Sequence, residues 1–229
     1  MSKTLTLYSR SSTFQQTYFP PILLNDGNWQ IAMIDFHTYN SIPNITAYNN
    51  QIKIGEHLIT IPIGAYQINE INQAINDILK SLEQSDIELI NIRGNNSTLK
   101  CEIKSTLTVD LNVENSIAPL LGFAKTVLEP GKTHISQYPV DIINVSDIRI
   151  ECNLATDSFV NGAPTRTIYG FFPDVPVGHK INIRPSSLIY YPVNTDIVDV
   201  ISIRIIDQSG RPVDFSGELL TLRIHLKRI

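Results

Sequence analysis

Leu220-Thr221-Leu222-Arg223-Ile224-His225-Leu226-Lys227 decides the fold. In an extended chain Leu220, Leu222, Ile224 and Leu226 point one way, and Thr221, Arg223, His225 and Lys227 point the other. Such period-2 alternation marks a strand with one buried and one wet face, the habit of antiparallel sheets in sandwiches and barrels. The same pattern recurs upstream. Ile148, Ile150, Cys152 and Leu154 alternate with Arg149, Glu151 and Asn153. Leu99, Cys101 and Ile103 alternate with Lys100, Glu102 and Lys104, and Leu107, Val109, Leu111 and Val113 with Thr108, Asp110 and Asn112. Less regular strand candidates are 29–36, 58–63, 87–92, 180–183 and 198–206.

One segment changes period. Ile68, Ile71, Ile75, Ile78, Leu79 and Leu82 recur at helical spacing, with Asn72, Gln73, Asn76, Asp77 and Lys80 between them. This predicts one amphipathic helix over 68–83 whose apolar stripe covers an end or face of a sheet. Its polar face is not basic, which argues against a membrane-surface role. A single shorter helical turn is expected over Ser116-Ile117-Ala118-Pro119-Leu120-Leu121-Gly122-Phe123, capped by Asn115 or Ser116 and ended by Gly122. Asn25-Asp26-Gly27-Asn28 and Asp207-Gln208-Ser209-Gly210 lie between apolar runs as hairpin loops do. The expected architecture is all-β and antiparallel, one unit over 1–229. Glu129-Pro130-Gly131-Lys132 is the best internal boundary, and it allows lobes 1–125 and 135–229 joined near 126–134.

Composition agrees. The 229 residues are 42% hydrophobic and 17% charged, with 35 Ile against 8 Ala. That balance is the opposite of a disordered chain's, and Ile over Ala favours strands over helices. A net charge of −4 disfavours a dedicated nucleic-acid binder, which needs a basic face. The N-terminus has no apolar core of a signal peptide, and no run is long enough to span a membrane. A soluble protein made inside a cell is the expectation. In that setting Cys101 and Cys152 read as buried free thiols, with a disulfide as the alternative, and the acceptor sequences at Asn44, Asn95, Asn96 and Asn144 read as coincidence.

Chemistry is sparse. His37, His57, His134, His179 and His225 have no second ligand at metal-binding spacing, so no metal or cofactor is expected. Gly131-Lys132-Thr133 lacks the earlier glycine of a phosphate loop, because position 126 is Thr126. Tyr169, Phe171, Phe172, Tyr190 and Tyr191 form an aromatic set that suits a sugar platform, a subunit interface or a core plug. Arg223, Lys227 and Arg228 make the C-terminus basic, which suits either an interface patch or a solvated, protected sheet edge. No residue makes a catalytic case by itself, and a non-enzymatic role is expected.

Three groups of residues carry a resemblance. They are Ile203–Glu218 with the strand that follows; Phe171-Phe172-Pro173-Asp174-Val175-Pro176-Val177-Gly178-His179-Lys180 with Tyr191-Pro192-Val193-Asn194; and Leu120-Leu121-Gly122-Phe123 with Ile61-Pro62-Ile63-Gly64-Ala65-Tyr66-Gln67-Ile68. The chain resembles the jelly-roll capsid proteins of Polinton/Maverick elements and adintoviruses. The resemblance implies a β-sandwich of jelly-roll type and a structural role in the virion. The major capsid proteins of these elements are much longer, so the length implies the minor capsid protein, the penton at icosahedral vertices. Such a protein forms a pentamer and contacts the major capsid protein; no functional residues carry over. The competing expectation is a β-sandwich binding module, a lectin-like or receptor-attachment head using Tyr169, Phe171, Tyr190 and Tyr191. A hydrolase built on Asp174 and His179 ranks third.

Overall fold

The structure is a computed structural model that describes residues 1–83, 89–142 and 145–229. The chain opens with β1 (Ser2–Ser9), β2 (Thr13–Leu23) and β3 (Trp29–Tyr39). It continues through β4 (Gln51–Ile54), β5 (His57–Thr60), α1 (Ile68–Glu83), β6 (Ile90–Asn95), β7 (Lys100–Ser105), β8 (Val109–Asp110), β9 (Val127–Leu128) and β10 (Thr133–Pro139). It closes with β11 (Ile148–Cys152), β12 (Ser158–Val160), β13 (Ala163–Thr165), β14 (Thr167–Phe171), β15 (Lys180–Ile183), β16 (Tyr191–Pro192), β17 (Ile197–Asp207) and β18 (Leu220–Arg228).

Two compact units result. The first joins Met1–Ile42 to Val145–Ile229, and the second, Pro43–Asn144, interrupts it in sequence. The division therefore differs from lobes meeting near 126–134. Glu129-Pro130-Gly131-Lys132 is only the turn between β9 and β10, inside the second unit. Turn residues mark where a chain reverses, whereas a unit boundary depends on which segments share a core.

The first unit is a jelly roll. One sheet has the order β1-β18-β3-β15, with β16 also paired to β3, and the other has the order β14-β11-β17-β2. All pairings are antiparallel. Among the eight roll strands, only β11 and β14 are both consecutive and paired; every other connection crosses to the opposite sheet, as in a pair of Greek keys. Residues 25–28 and 207–210 are thus crossovers between sheets, not hairpin loops. Turn chemistry serves both geometries equally, and the crossover is set by which strands find each other. A hairpin with a two-residue turn does form in this unit at β12–β13, where Asn161 and Gly162 both take positive φ, 52° and 79°.

The decisive strand lies centrally, between β1 and β3, with Leu220, Leu222, Ile224 and Leu226 fully buried as its alternation requires. Facing it across the core, β17 contributes Ile201, Ile203 and Ile205. Phe36 of β3 links the sheets, its ring 5.6 Å from Phe171 and 6.2 Å from Phe215. The alternation pattern did not single out β1 and β2. Pro20 and Pro21 argue against a central strand, but β2 is an edge strand, where a missing N–H is tolerated.

The second unit has its own core, including Ile52, Ile54, Ile59, Ile103, Val109, Leu121 and Phe123. Its sheets run β10-β7-β6 and β5-β4-β8-β9. The predicted helix forms over Ile68–Glu83 and buries Ile71, Ile75 and Leu79. It begins with the Gln67 N–H donating to Glu70 Oε2 at 2.7 Å. Rather than lying only on a face, α1 closes an edge of β6. Asn72 Oδ1 accepts the Ile92 N–H at 2.7 Å, and Asn76 Nδ2 donates to the Ile90 carbonyl at 2.8 Å. The expected strand over 107–113 shortens to Val109–Asp110. The turn at 116–123 forms with Ser116 Oγ accepting the Ala118 N–H, as expected of a cap, but does not extend into a helix. The candidate strand 87–92 begins outside the described residues, as does the acceptor Asn144. No helix among the described residues is long and apolar enough to cross a membrane.

Candidate interaction surfaces

Both cysteines are buried free thiols, as read from the sequence. Burial pushes the Cys101 thiol up to about 12 and the Cys152 thiol up to about 11, so neither is a nucleophile near neutral pH. Asn44 is buried and structural. Its Nδ2 donates to the Tyr66 carbonyl at 2.7 Å and the Ile142 carbonyl at 3.2 Å, and its Oδ1 accepts the Tyr66 N–H at 2.9 Å. It therefore fastens the entry of the second unit's chain to its exit. Among the described residues, no group of three His, Cys, Asp or Glu side chains is placed to hold a metal. No hydrogen bond or ion pair joins Asp174 to His179; the exposed His179 ring instead contacts its neighbour Val177, Nδ1 to carbonyl, at 3.2 Å. A recess of about 180 Å³ lined by Leu89, Ile90, Asn91, Lys104, Ser105, Thr106 and Gly131 is smaller than the roughly 300 Å³ at which ligand pockets begin.

The aromatic set does not come together. Phe171 is buried against Phe36 and belongs to the core, which removes it as a surface anchor. Tyr169 and Tyr191 pack half-buried on the same core from different sheets. Phe172 alone of the five projects openly, 68% exposed. Tyr190 takes a separate role on the outer face of the first sheet. Its hydroxyl lies 2.8 Å from His225 Nδ1, the two rings meet edge to face at 5.9 Å, and Lys227 Nζ sits 5.4 Å from the Tyr190 ring centroid. His225 is thus a partnered, half-buried side chain rather than a freely solvated one.

The basic C-terminus is largely neutralised within the chain. Arg223 Nε donates to both oxygens of Asp35 at 2.8 and 2.9 Å, and its Nη2 adds a further bond. His37 Nε2 lies 3.2 Å from Asp35 Oδ1. Asp35 is only 1% exposed, although it faces outward. A bulge makes this geometry. Leu222 pairs with Phe36 and Arg223 with Asp35, but Ile224 pairs with Met33, leaving Ile34 as an extra residue. Strict alternation after Trp29, Ile31 and Met33 would turn Asp35 into the core; the extra residue turns it out to Arg223 and sends Phe36 in. The hydrogen bonds from Arg223 hold the Asp35 carboxyl below its ordinary value of 3.8 against the opposing effect of burial, helped by the nearby charges of Arg223, His37 and Arg184. Arg228 reaches Asp26 at 3.1 Å, and the Trp29 indole donates to the same carboxylate at 3.0 Å. Sequence pattern placed Arg223 on the wet face, yet it held no sign of the buried partner that occupies it.

No protein-family model matches the chain, and no curated protein matches its sequence. Among solved structures, the chain is similar to the mavirus penton protein, with a TM-score of 0.54, 13% identity and 100% of both chains covered. It is also similar to a chain in the cryo-EM structure of the Sputnik virophage, with a TM-score of 0.47 and 13% identity over 99% of this chain and 98% of that one. Eight strands wound into two sheets, and a correspondence that runs from end to end, identify the fold as the jelly-roll fold shared with the mavirus penton protein.

Proposed function

We propose that this chain is a structural protein of an icosahedral virion, the minor capsid protein that occupies the vertices, where it assembles with itself and with the major capsid protein. The observation that carries this reading is the end-to-end correspondence in fold with a penton protein, the segment that forms the second unit included. A jelly roll hosts many functions, so the fold supports the role without assigning it. The surface agrees with such work: both thiols are buried, and the Phe172 side chain is exposed for contact. The reading assigns no catalysis and no cofactor. A sugar-binding head has less support, because the rings it needs are divided between the core and two different sheets.

The test is co-expression with a major capsid protein from the same genome, followed by particle purification and cryo-electron microscopy. The expected result is density for this chain at the fivefold vertices. Particles that close without it, or a chain that never co-purifies with them, overturn the reading.

A further inference from the structure

The roll holds eleven basic and eleven acidic residues, so the chain's net charge of −4 falls entirely within the second unit. Five carboxylates of the roll are tied to arginines: Asp26 to Arg228, Asp35 to Arg223, Asp147 to Arg149, Glu151 to Arg204 and Asp207 to Arg211. Several exposed charges with no ion-pair partner among the described residues segregate between two lateral sides. One side is made by β1 and β2, each outermost in its sheet and joined through residues 10–12; the other is made by β14 and β15. Three strand spacings, about 14 Å, separate the outermost strands of a four-stranded sheet.

The β2 side is apolar and acidic. Phe19 is 98% exposed, and the cross-strand partners Leu23 and Ile197 are each 54% exposed. Asp196 and Asp199 are exposed on either side of Ile197 and Val198, and Asp199 sits where the β2–β17 register shifts. The cations nearest this side are engaged: Lys3 Nζ lies 5.8 Å from the Trp29 ring centroid, and Arg10 donates to the Gly217 carbonyl. The β15 side is apolar and basic, with exposed Phe172, His179, Lys180 and Arg184 beside the acidic Asp174.

We propose that these two sides bind each other between copies of this chain: the Phe19–Leu23–Ile197 patch, with Asp196 and Asp199, seats against the Lys180 edge of the next copy. The inference rests on the capsid reading above and names the surface that reading needs. A ring requires a heterologous contact between two unlike patches, which this pair of sides supplies. A twofold contact of the β2 side with itself would instead bring the Asp196 and Asp199 set against the same set of the other copy. Apolar groups form the centre of the contact, and the opposite charges fix register and partner.

Charge exchange tests it on the full chain by size-exclusion chromatography with light scattering, with circular dichroism to confirm folding. Asp199→Lys and Lys180→Glu are each expected to weaken self-association about tenfold, and the two changes in one chain to restore it. Arg184 is left in place because its charge also reaches Asp35. Phe19→Ser is expected to abolish the oligomer while leaving the fold intact. An oligomer indifferent to all three single changes overturns this surface but not the capsid role, which particle incorporation reads separately. A wild-type chain that stays monomeric at every concentration, yet enters particles, likewise overturns the surface alone.

Discussion

Asp35 is a carboxylate whose burial is made tolerable by Arg223 and His37, and its sign of pH dependence follows directly. Its folded-state pKa lies below 3.8, as does that of Asp26, held there first by the Trp29 indole N–H. Asp207 is lowered too: burial pushes it up, but the backbone N–H groups of Arg211 and Ser209 and the Arg211 side chain outweigh that. At acid pH the unfolded chain therefore binds more protons than the folded one. Stability is fully present above the ordinary carboxylate value and falls as pH drops through and below it, between about pH 5 and 2. Urea melts across that range check this, and Asp35→Asn is expected to flatten the acid limb while lowering stability at pH 7. Gly122 makes a second residue-scale case. Its φ is +75°, and an added Cβ would lie 2.3 Å from the Tyr138 carbonyl oxygen and 2.7 Å from that of Pro139. Gly122→Ala is expected to cost about 3 kcal/mol or more, from backbone strain plus that clash. Gly178, at φ +77° with open space around it, is the control: Gly178→Ala costs only the conformational part, about 1 kcal/mol. Thermal melts of the two variants compare them directly.

Elements in this fold depend on how their edges are finished. The outer N–H and C=O groups of β6 are met by Asn72 and Asn76 of α1, so the helix completes a sheet as well as covering a core. Asn76→Leu keeps the volume and removes the donor to the Ile90 carbonyl, and is expected to cost about 1–3 kcal/mol. Hydrogen exchange at the Ile92 amide, which bonds to Asn72 Oδ1, should quicken in Asn72→Ala while amides of β3 in the roll keep their protection. The helix was legible because six apolar positions share one period. The use of its asparagines was not, since a polar residue that faces water and one that meets a strand edge look alike in sequence. The β3 bulge is the opposite case: Trp29, Ile31 and Met33 set one phase and Phe36 breaks it, so the extra residue left a visible trace.

At the scale of the whole molecule, the second unit is an insertion with its own core, and its chain ends are held together by Asn44 bonding to Ile142. Replacing 43–144 by a short Gly/Ser linker is therefore expected to leave the roll folded, with a cooperative melt by circular dichroism and retained near-ultraviolet signal from Trp29. Residues 43–144 expressed alone are expected to melt cooperatively as well. Loss of structure in either piece would show that the cores are not self-sufficient.

By itself the sequence determined the class: alternation at Leu220–Lys227 and its echoes required half-buried antiparallel strands, and a single 3.6-residue period allowed one helix. Those are local properties, because side-chain direction along a strand or helix repeats with the backbone itself. Only the tertiary structure decided which strands pair, that residues 25–28 and 207–210 cross between sheets, and that the chain divides at 42 and 145. It also decided that Phe171 fills the core while Phe19 stands out on an edge, and that Arg223 is spent on Asp35. Pairing, burial and charge neutralisation are long-range: they join residues as far apart as Ser2 and Lys227, a distance over which periodicity carries no information.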